Sequence, residues 1–321
     1  MGYASAKTVA PDTIPVVDIT ALRHGEDVQS VAQALHRASQ GLGFIYVRGH
    51  GIDDRTIELA RTAAYDFFRS QESLKQQLLI SAQHRGWLKP GQAKMDDDAK
   101  VDLKESFIWG YQDHNGACLQ DHPLRGENQW PEFVPQLQAC SMAYFRAADE
   151  VARHLLRGFA TGLDLQEDFF LQKASTPLSR ASYVYYPVQP EDCGEQQFGV
   201  GPHTDFGVLT VLCQDDTGGL QVQDINGDWI HAPPIEGTLI VNVGDLLSRW
   251  TAGEYKSTPH RVVNTSGRER LSLVLAFDPD PDTVIDASSI PGLTSKEPPT
   301  TCGDYLLWRF AKAFSYRQKA Q

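Results

Sequence analysis

Hydrophobic residues in the first half of the chain recur mainly at the spacing of a helix. The segment 27–39 is one example, because its apolar residues fall on a single helical face. Helices are predicted over 27–39 and over 134–161, and a further helix is predicted to begin after an N-cap at Asp53 or Asp54. Short apolar runs at 14–19 and 44–47 predict two strands, and residues 82–115 are predicted as loops with one strand.

The pattern changes near residue 180, where short apolar runs replace helical periodicity. Strands are predicted at 181–186, 208–213, 220–223, 229–232, 238–243, 261–263 and 271–277. Many short strands at close spacing are typical of a sandwich or barrel. Helical spacing returns from about residue 303. We therefore predict an α+β chain with two parts in one structural unit: an N-terminal helical and strand region (1–179), and a β-rich core with a C-terminal helix (180–321).

The composition is that of a soluble globular protein, with 41% hydrophobic and 22% charged residues. The formal net charge of −12 disfavours nucleic acid as a partner, since binding to nucleic acid requires clustered Lys and Arg. An anionic small substrate stays possible, because a pocket can be locally basic in an acidic protein. No signal peptide or membrane span is predicted, so we expect no membrane partner.

The five cysteines form no CxxC pair and are odd in number, which predicts reduced thiols and a cytoplasmic protein. They are Cys118, Cys140, Cys193, Cys213 and Cys302. The oligomeric state is open at this point, with a monomer as the expectation.

The sequence His203-Thr204-Asp205 carries the first sign of chemistry. In an extended chain, side chains two residues apart point to the same side, so this imidazole and carboxylate can converge on one ion. His260 is the best candidate for a third ligand. Two histidines and one carboxylate with open positions form the facial triad of non-haem Fe(II) oxygenases. Taken singly, each of these residues could instead be a structural turn or strand residue.

Several motifs in the right order resemble the isopenicillin N synthase-like family of Fe(II)/2-oxoglutarate-dependent oxygenases. These are IPVVDI and GFIYVRGHGI near the N-terminus, then YYP, HTDFGVLTVL, GGLQVQ, VNVGDLLSRWTAGEYKSTPHRVVN, RLSLVLAF and GDYLLWRF. A lone HxD is weak evidence, whereas HTD, GD, STPHRVV and RLS in this order are specific. The resemblance implies a double-stranded β-helix, or jelly roll, flanked by N-terminal and C-terminal helices.

The resemblance also implies roles for individual residues. The catalytic metal ligands would be His203, Asp205 and His260, holding Fe(II). Arg270, Ser272 and Tyr186 would bind the distal carboxylate of the co-substrate 2-oxoglutarate. With O2, such an enzyme decarboxylates 2-oxoglutarate to succinate and CO2 while it hydroxylates or desaturates a small-molecule substrate.

Two alternatives stay open from the sequence. The penicillin-forming member of the family grips its substrate through the positions of Arg270, Ser272 and Tyr186, and it needs no 2-oxoglutarate. A jelly-roll protein that binds metal without turnover is the second alternative. Tyr186 could also be a plain core aromatic residue. The substrate is not identified, and Trp87, Phe107 and Phe310 are candidate pocket walls.

Overall fold

Fourteen strands and eight α-helices make up the described part of a computed structural model, which covers residues 4–8, 10, 13–93, 102–113, 115–189 and 197–318. The strands are β1 (Val16–Asp18), β2 (Phe44–Arg48), β3 (Gly86–Leu88), β4 (Glu105–Gly110), β5 (Arg180–Tyr186), β6 (Val200–His203), β7 (Leu209–Gln214), β8 (Leu220–Gln223), β9 (Trp229–His231), β10 (Thr238–Val243), β11 (His260–Val262), β12 (Arg270–Phe277), β13 (Val284–Ile285) and β14 (Thr300–Thr301). The helices are α1 (Thr20–His24), α2 (Val28–Gly41), α3 (Asp54–Phe68), α4 (Glu72–Lys75), α5 (Leu137–Gly162), α6 (Asp245–Trp250), α7 (Cys302–Ala313) and α8 (Ser315–Gln318).

Two sheets face each other as a double-stranded β-helix, so the predicted fold class is confirmed. The large sheet has eight strands in the order β1-β2-β10-β7-β12-β5-β4-β3, and the small sheet has the order β6-β11-β8-β9. A third sheet pairs only β13 with β14. The boundary predicted near residue 180 stays a prediction, and β1 to β4 share the large sheet with four later strands.

Alternation of side chains along the strands divides the interior into two apolar layers. On β2, Ile45 and Val47 belong to the layer beneath the helices, whereas Phe44 and Tyr46 belong to the layer between the two sheets. Helices α3 and α5 pack against β12, and α5 also packs against β7. The helices therefore cover the outer face of the large sheet and leave its inner face for the space between the sheets.

The predicted helices are confirmed, and each predicted end lies within three residues of the observed one. Asp53 caps α3, because its carboxylate accepts a hydrogen bond of 2.7 Å from the backbone N–H of Arg55. Gly43 connects α2 to β2 with a φ of 70°, and a Cβ there would lie 1.9 Å from the carbonyl oxygen of Lys256. Only glycine fits this approach.

Two strand predictions were wrong. Residues 82–115 contain two strands, β3 and β4, rather than one. The strand β6 was not predicted at all, because Gly201 and Pro202 interrupt its apolar pattern. A proline is tolerated there because β6 lies at the edge of the small sheet.

Candidate metal centre and cavity

The three predicted metal ligands meet at one end of the space between the sheets. His203 ends β6, His260 begins β11, and the two residues are direct partners in the antiparallel register. Their ring centroids are 4.3 Å apart. Asp205 lies two residues beyond His203, and its Oδ1 is 3.9 Å from Nε2 of His203 and 3.8 Å from Nε2 of His260.

Backbone carbonyls orient both imidazoles. Nδ1 of His203 lies 2.8 Å from the Gly201 carbonyl oxygen, and Nδ1 of His260 lies 3.2 Å from the Thr258 carbonyl oxygen. A carbonyl oxygen can only accept a hydrogen bond, so each Nδ1 carries the proton and donates it. Each Nε2 is then left with a free lone pair on the side of Asp205, as a metal ligand requires.

Asp205 is held by the large sheet. Its Oδ2 accepts a hydrogen bond of 2.7 Å from Nδ2 of Asn242 on β10. Burial alone would raise the pKa of the Asp205 carboxyl, but the imidazoles of His260 and His203 and hydrogen bonds from Thr210 and Asn242 lower it to about 2. Burial lowers the pKa of the His203 imidazole to about 3. An ionised carboxylate and a neutral imidazole are thus present at neutral pH.

This donor set fits a divalent transition metal. One ligand atom from each of His203, Asp205 and His260 lies within 4.8 Å of the other two. Two imidazole nitrogens and one carboxylate oxygen on one side of an ion are the donor types of an Fe(II) facial triad. The cavity lies on the open side of the three ligands, all of which line its wall.

A second group of predicted residues lies along β12 and β5. Arg270 pairs with Tyr186 in the antiparallel register, and its Cζ lies 4.7 Å from the Tyr186 ring centroid. The guanidinium is fully buried, and its Nε donates a hydrogen bond of 2.6 Å to the Gly218 carbonyl oxygen. Within the described ranges, Nη1 and Nη2 of Arg270 and Oγ of Ser272 have no hydrogen-bond partner. Burial raises the pKa of Tyr186 to about 12, although Arg270 opposes this effect.

The cavity between the sheets has a volume of about 180 Å³. Tyr186 and the three metal-ligand candidates line it, as does Phe310 of α7, one of the three predicted pocket walls. The other two predictions, Trp87 and Phe107, were wrong. Both belong to the layer beneath the helices, because the alternation of β4 turns Ser106 and Ile108, rather than Phe107, toward the cavity.

Comparisons with known proteins agree with this geometry. Residues 175–279 match the 2OG-Fe(II) oxygenase superfamily, and residues 14–133 match a family described as non-haem dioxygenase in morphine synthesis N-terminal. A 2-oxoglutarate-Fe(II) type oxidoreductase of Emericella nidulans is 32% identical over 328 residues, covering 95% of this chain and 92% of the relative. The chain belongs to the 2-oxoglutarate/Fe(II) oxygenase superfamily.

Other relatives of this oxygenase carry more specific names. A homoarginine-6-hydroxylase of Glycine max is 30% identical over 295 residues, covering 85% of this chain and 88% of the relative. A full-length Neurospora crassa protein crystallised with alpha-KG and thymine has a TM-score of 0.83 and 28% identity, covering 95% of this chain and 98% of that one. The protein is therefore an oxidoreductase that uses Fe(II), 2-oxoglutarate and O2. Within the described ranges, no helix is both long and apolar enough to cross a bilayer.

Several residues of the oxygenase cavity were missed from the sequence. Asn242 and Thr210 support Asp205, and Arg180 and Lys104 line the cavity wall. One available signal was the lone amide in the apolar run TLIVNV, since a buried polar side chain requires a partner. Arg180 gave no signal, because it stands at the start of a strand, where a cation is usually exposed.

His84 lines the oxygenase cavity and is buried between aromatic rings. Its ring centroid is 4.5 Å from that of Phe310 and 4.9 Å from that of Phe314, and its Nδ1 is hydrogen-bonded to the Tyr316 hydroxyl. Burial lowers the pKa of His84 well below its usual value, and the nearby Arg180 lowers it further. The folded protein therefore keeps this imidazole neutral.

We expect His84→Gln to make the stability of the oxygenase less dependent on pH. Below the unfolded pKa of about 6.5, the unfolded chain takes up a proton at His84 that the folded protein does not, so the free energy of unfolding falls as the pH drops. Removing this group should reduce the dependence of the free energy of unfolding on pH by up to about 1.4 kcal/mol per pH unit below pH 6. Urea unfolding from pH 7.5 to 5.0 tests this, with His24→Gln at an exposed site as the control. Equal slopes in wild type and His84→Gln would contradict the prediction.

Proposed function

We propose that His203, Asp205 and His260 bind the Fe(II) of this oxygenase, and that Arg270 binds the distal carboxylate of 2-oxoglutarate with Ser272 and Tyr186. The enzyme then hydroxylates or desaturates a small-molecule substrate in the same cavity. The observation that carries the proposal is the unpartnered face of the Arg270 guanidinium, buried beside Tyr186, which lines the same cavity as the triad.

The energetics of Arg270 favour a ligand over a structural role. Leaving buried hydrogen-bond donors unpaired costs about 1–3 kcal/mol each, and more for a charged group. A carboxylate can accept from Nη1 and Nη2 in parallel, which is the strongest arrangement open to a guanidinium. Ser272 lies two residues from Arg270 on β12 and therefore faces the same side of the strand. Its hydroxyl can donate to the same carboxylate.

When bound, Fe(II) with 2-oxoglutarate and O2 would supply the oxidising chemistry: O2 would be the oxidant, 2-oxoglutarate would be converted to succinate and CO2, and a substrate C–H bond would be oxidised. The chain supplies orientation. Arg270 would hold the distal carboxylate of the co-substrate, which leaves the 2-oxo acid end free for the metal. The apolar side chains around the cavity exclude water, and Asn242 keeps one oxygen of Asp205 turned away from the metal-binding side.

One titration distinguishes this function from the two alternatives, an oxidase without 2-oxoglutarate and a metal-binding protein without turnover. Under anaerobic conditions, Fe(II) and 2-oxoglutarate should give a weak visible charge-transfer band, and the aerobic protein should release succinate slowly without its substrate. No band and no dependence on 2-oxoglutarate would favour an oxidase that grips its substrate with Arg270. A band without succinate, whatever candidate substrate is added, would favour a metal-binding sensor.

We expect Asn242→Ala to weaken Fe(II) binding by about 10–100-fold, the usual effect of removing a hydrogen bond to a metal ligand. The reason is that Asp205 loses its amide partner and rotates more freely. Anaerobic titration with Co(II), a spectroscopic substitute, measures the affinity without turnover. Asn264→Ala is a matched control, since Asn264 is equally buried but hydrogen-bonds the Arg268 carbonyl away from the triad. Equal Co(II) affinity in wild type and Asn242→Ala would contradict this role.

Three further points are proposals from the sequence. A cytoplasmic location is supported by the free thiols of Cys118, Cys140, Cys213 and Cys302, while Cys193 lies outside the described residues. A monomer and the division at residue 180 also stay proposals. The names of the relatives do not select a substrate, because thymine and homoarginine differ in both shape and charge.

A further inference from the structure

One guanidinium lines the cavity directly, and it lies far from Arg270. Arg180 begins β5 and lines the cavity, as does Tyr186 at the other end of the strand. The two residues are six positions apart and face the same side, so their Cα atoms are separated by about 20 Å. Because Arg270 is paired with Tyr186, Arg180 lies at the opposite end of the cavity.

The strand register places Arg180 at the metal end. Arg180 pairs with Ala276, Ala276 pairs with Thr210, and Thr210 pairs with Asn242. Asn242 is the residue that holds Asp205. Three strand spacings correspond to about 14 Å between the Cα atoms of Arg180 and Asn242, and the long side chain of Arg180 shortens this gap. A small molecule can therefore reach from this guanidinium to the metal site.

Arg180 is fixed in place but keeps free donors. Its Nη1 donates a hydrogen bond of 2.5 Å to Oδ2 of Asp278, a fully buried carboxylate. Oδ1 of Asp278 accepts from the Val208 backbone N–H at 3.0 Å. In the part of the chain that the structure describes, no other group accepts a hydrogen bond from the Arg180 side chain. Nε and Nη2 are therefore available to a ligand on a guanidinium that is already oriented.

The walls beside Arg180 are aromatic. The Phe310 ring centroid lies 4.8 Å from Cζ of Arg180, and the Phe206 ring centroid lies 6.0 Å from that of Phe310. Phe314 of the C-terminal segment also lines this end of the cavity. A ligand here would have an apolar body, preferably a ring, against these side chains.

The local charge is positive, although the whole chain has a net charge of −12. Four cationic side chains act together on His84, namely Arg180, Arg317, Arg85 and Lys104. Arg85 donates hydrogen bonds to the carbonyls of Gln83 and His84, and Arg317 donates one to the Ala82 carbonyl. Asp278 and Asp102 face Arg180 and Lys104, which leaves an excess of positive charge around His84. Such a region concentrates anions.

We propose that Arg180 binds a carboxylate of the organic substrate, so that the substrates of this oxygenase are small organic acids with an apolar or aromatic body. This inference rests on the proposed function, because it assigns the second ligand of the same cavity. Arg270 then binds the co-substrate at one end and Arg180 binds the substrate at the other, and the two acids do not compete.

Matched acids and amides test the proposal in the intact protein. The probes are benzoate, phenylacetate and 3-phenylpropionate, each compared with its primary amide. They are titrated anaerobically into the Fe(II)/2-oxoglutarate complex, and binding is measured from the change in its charge-transfer band. At least one acid should bind ten-fold or more tightly than its amide, and added salt should weaken this preference.

Two variants locate the preference at Arg180. The double variant Arg180→Gln with Asp278→Asn removes the ion pair without leaving a buried carboxylate unpaired, and Arg180→Lys keeps the charge but loses the planar fork. In the double variant, acid and amide should bind within a factor of two of each other, while 2-oxoglutarate affinity stays the same. Arg180→Lys should give an intermediate preference. Arg146→Gln, at an exposed site on α5, is the control.

The outcomes separate this inference from the proposed function. Failure of the wild-type band to form with 2-oxoglutarate counts against the proposed function. If the band is normal, three results overturn the role of Arg180. The first is that no acid binds, and the second is that amides or thymine bind more tightly than the acids. The third is an acid preference that survives in the double variant.

Discussion

Replacing His203 with alanine should abolish 2-oxoglutarate turnover. The substitution removes one of three ligands, and Nε2 of His260 and Oδ1 of Asp205, 3.8 Å apart, cannot complete the triad. Loss of a hydrogen bond to a ligand already costs about 10–100-fold in metal affinity or activity, so loss of the ligand itself should lower succinate release by more than about 100-fold. Succinate formation at saturating Fe(II) and 2-oxoglutarate measures this effect.

The matched control is His231→Ala. His231 lies on β9 of the same small sheet but is not part of the triad. This variant should retain wild-type succinate release, and circular dichroism should show that both variants are folded. Turnover of His203→Ala within ten-fold of wild type would remove this residue from the metal site.

Replacing Arg270 with methionine separates co-substrate binding from stability. The variant loses two charge-assisted hydrogen bonds to the distal carboxylate, and we expect the Kd for 2-oxoglutarate to rise by about 100-fold, or about 2.7 kcal/mol. The protein without ligand should lose little stability, because removal of a buried cation with two unpaired nitrogens offsets loss of the Nε hydrogen bond to the Gly218 carbonyl oxygen. Anaerobic titration of the charge-transfer band gives the Kd, and thermal unfolding gives the stability.

Arg268→Gln is the control for Arg270→Met. Arg268 is exposed just before β12 and forms an ion pair with Asp216 at the surface, so its loss should change neither quantity. A Kd for Arg270→Met within a factor of two of wild type would contradict the carboxylate role. A drop of several degrees in the melting temperature without ligand would indicate that Arg270 stabilises the fold instead.

The proximity of several candidate site residues could be predicted because they occur in short local motifs. His203 and Asp205 are separated by one residue, so local geometry alone brings them together. Arg270 and Ser272 lie on one face of a continuous strand, where alternation is a reliable guide. The partnership of His260 with His203 spans 57 residues, and only the resemblance to a known family predicted it.

The remaining cavity residues depend on strand register, which the sequence alone does not specify. Arg180 and Asn242 are three strands apart in one sheet, and no spacing along the chain relates them. Phe107 and Trp87 failed as wall candidates for a similar reason, since a shift of one position reverses the face of a strand. Asp278 was missed because its partner Arg180 lies 98 residues away.

The edge position of β6 gives bound metal a mechanical role. Among the described strands, β6 pairs only with β11; it contains Gly201 and Pro202, and its register with β11 is broken. Few main-chain contacts hold it, yet its last residue faces His260 across the ladder. An ion bound by both imidazoles would link these two neighbouring strands. Loss of the metal should therefore loosen this edge strand, and a loosened β6 should in turn weaken rebinding of the ion.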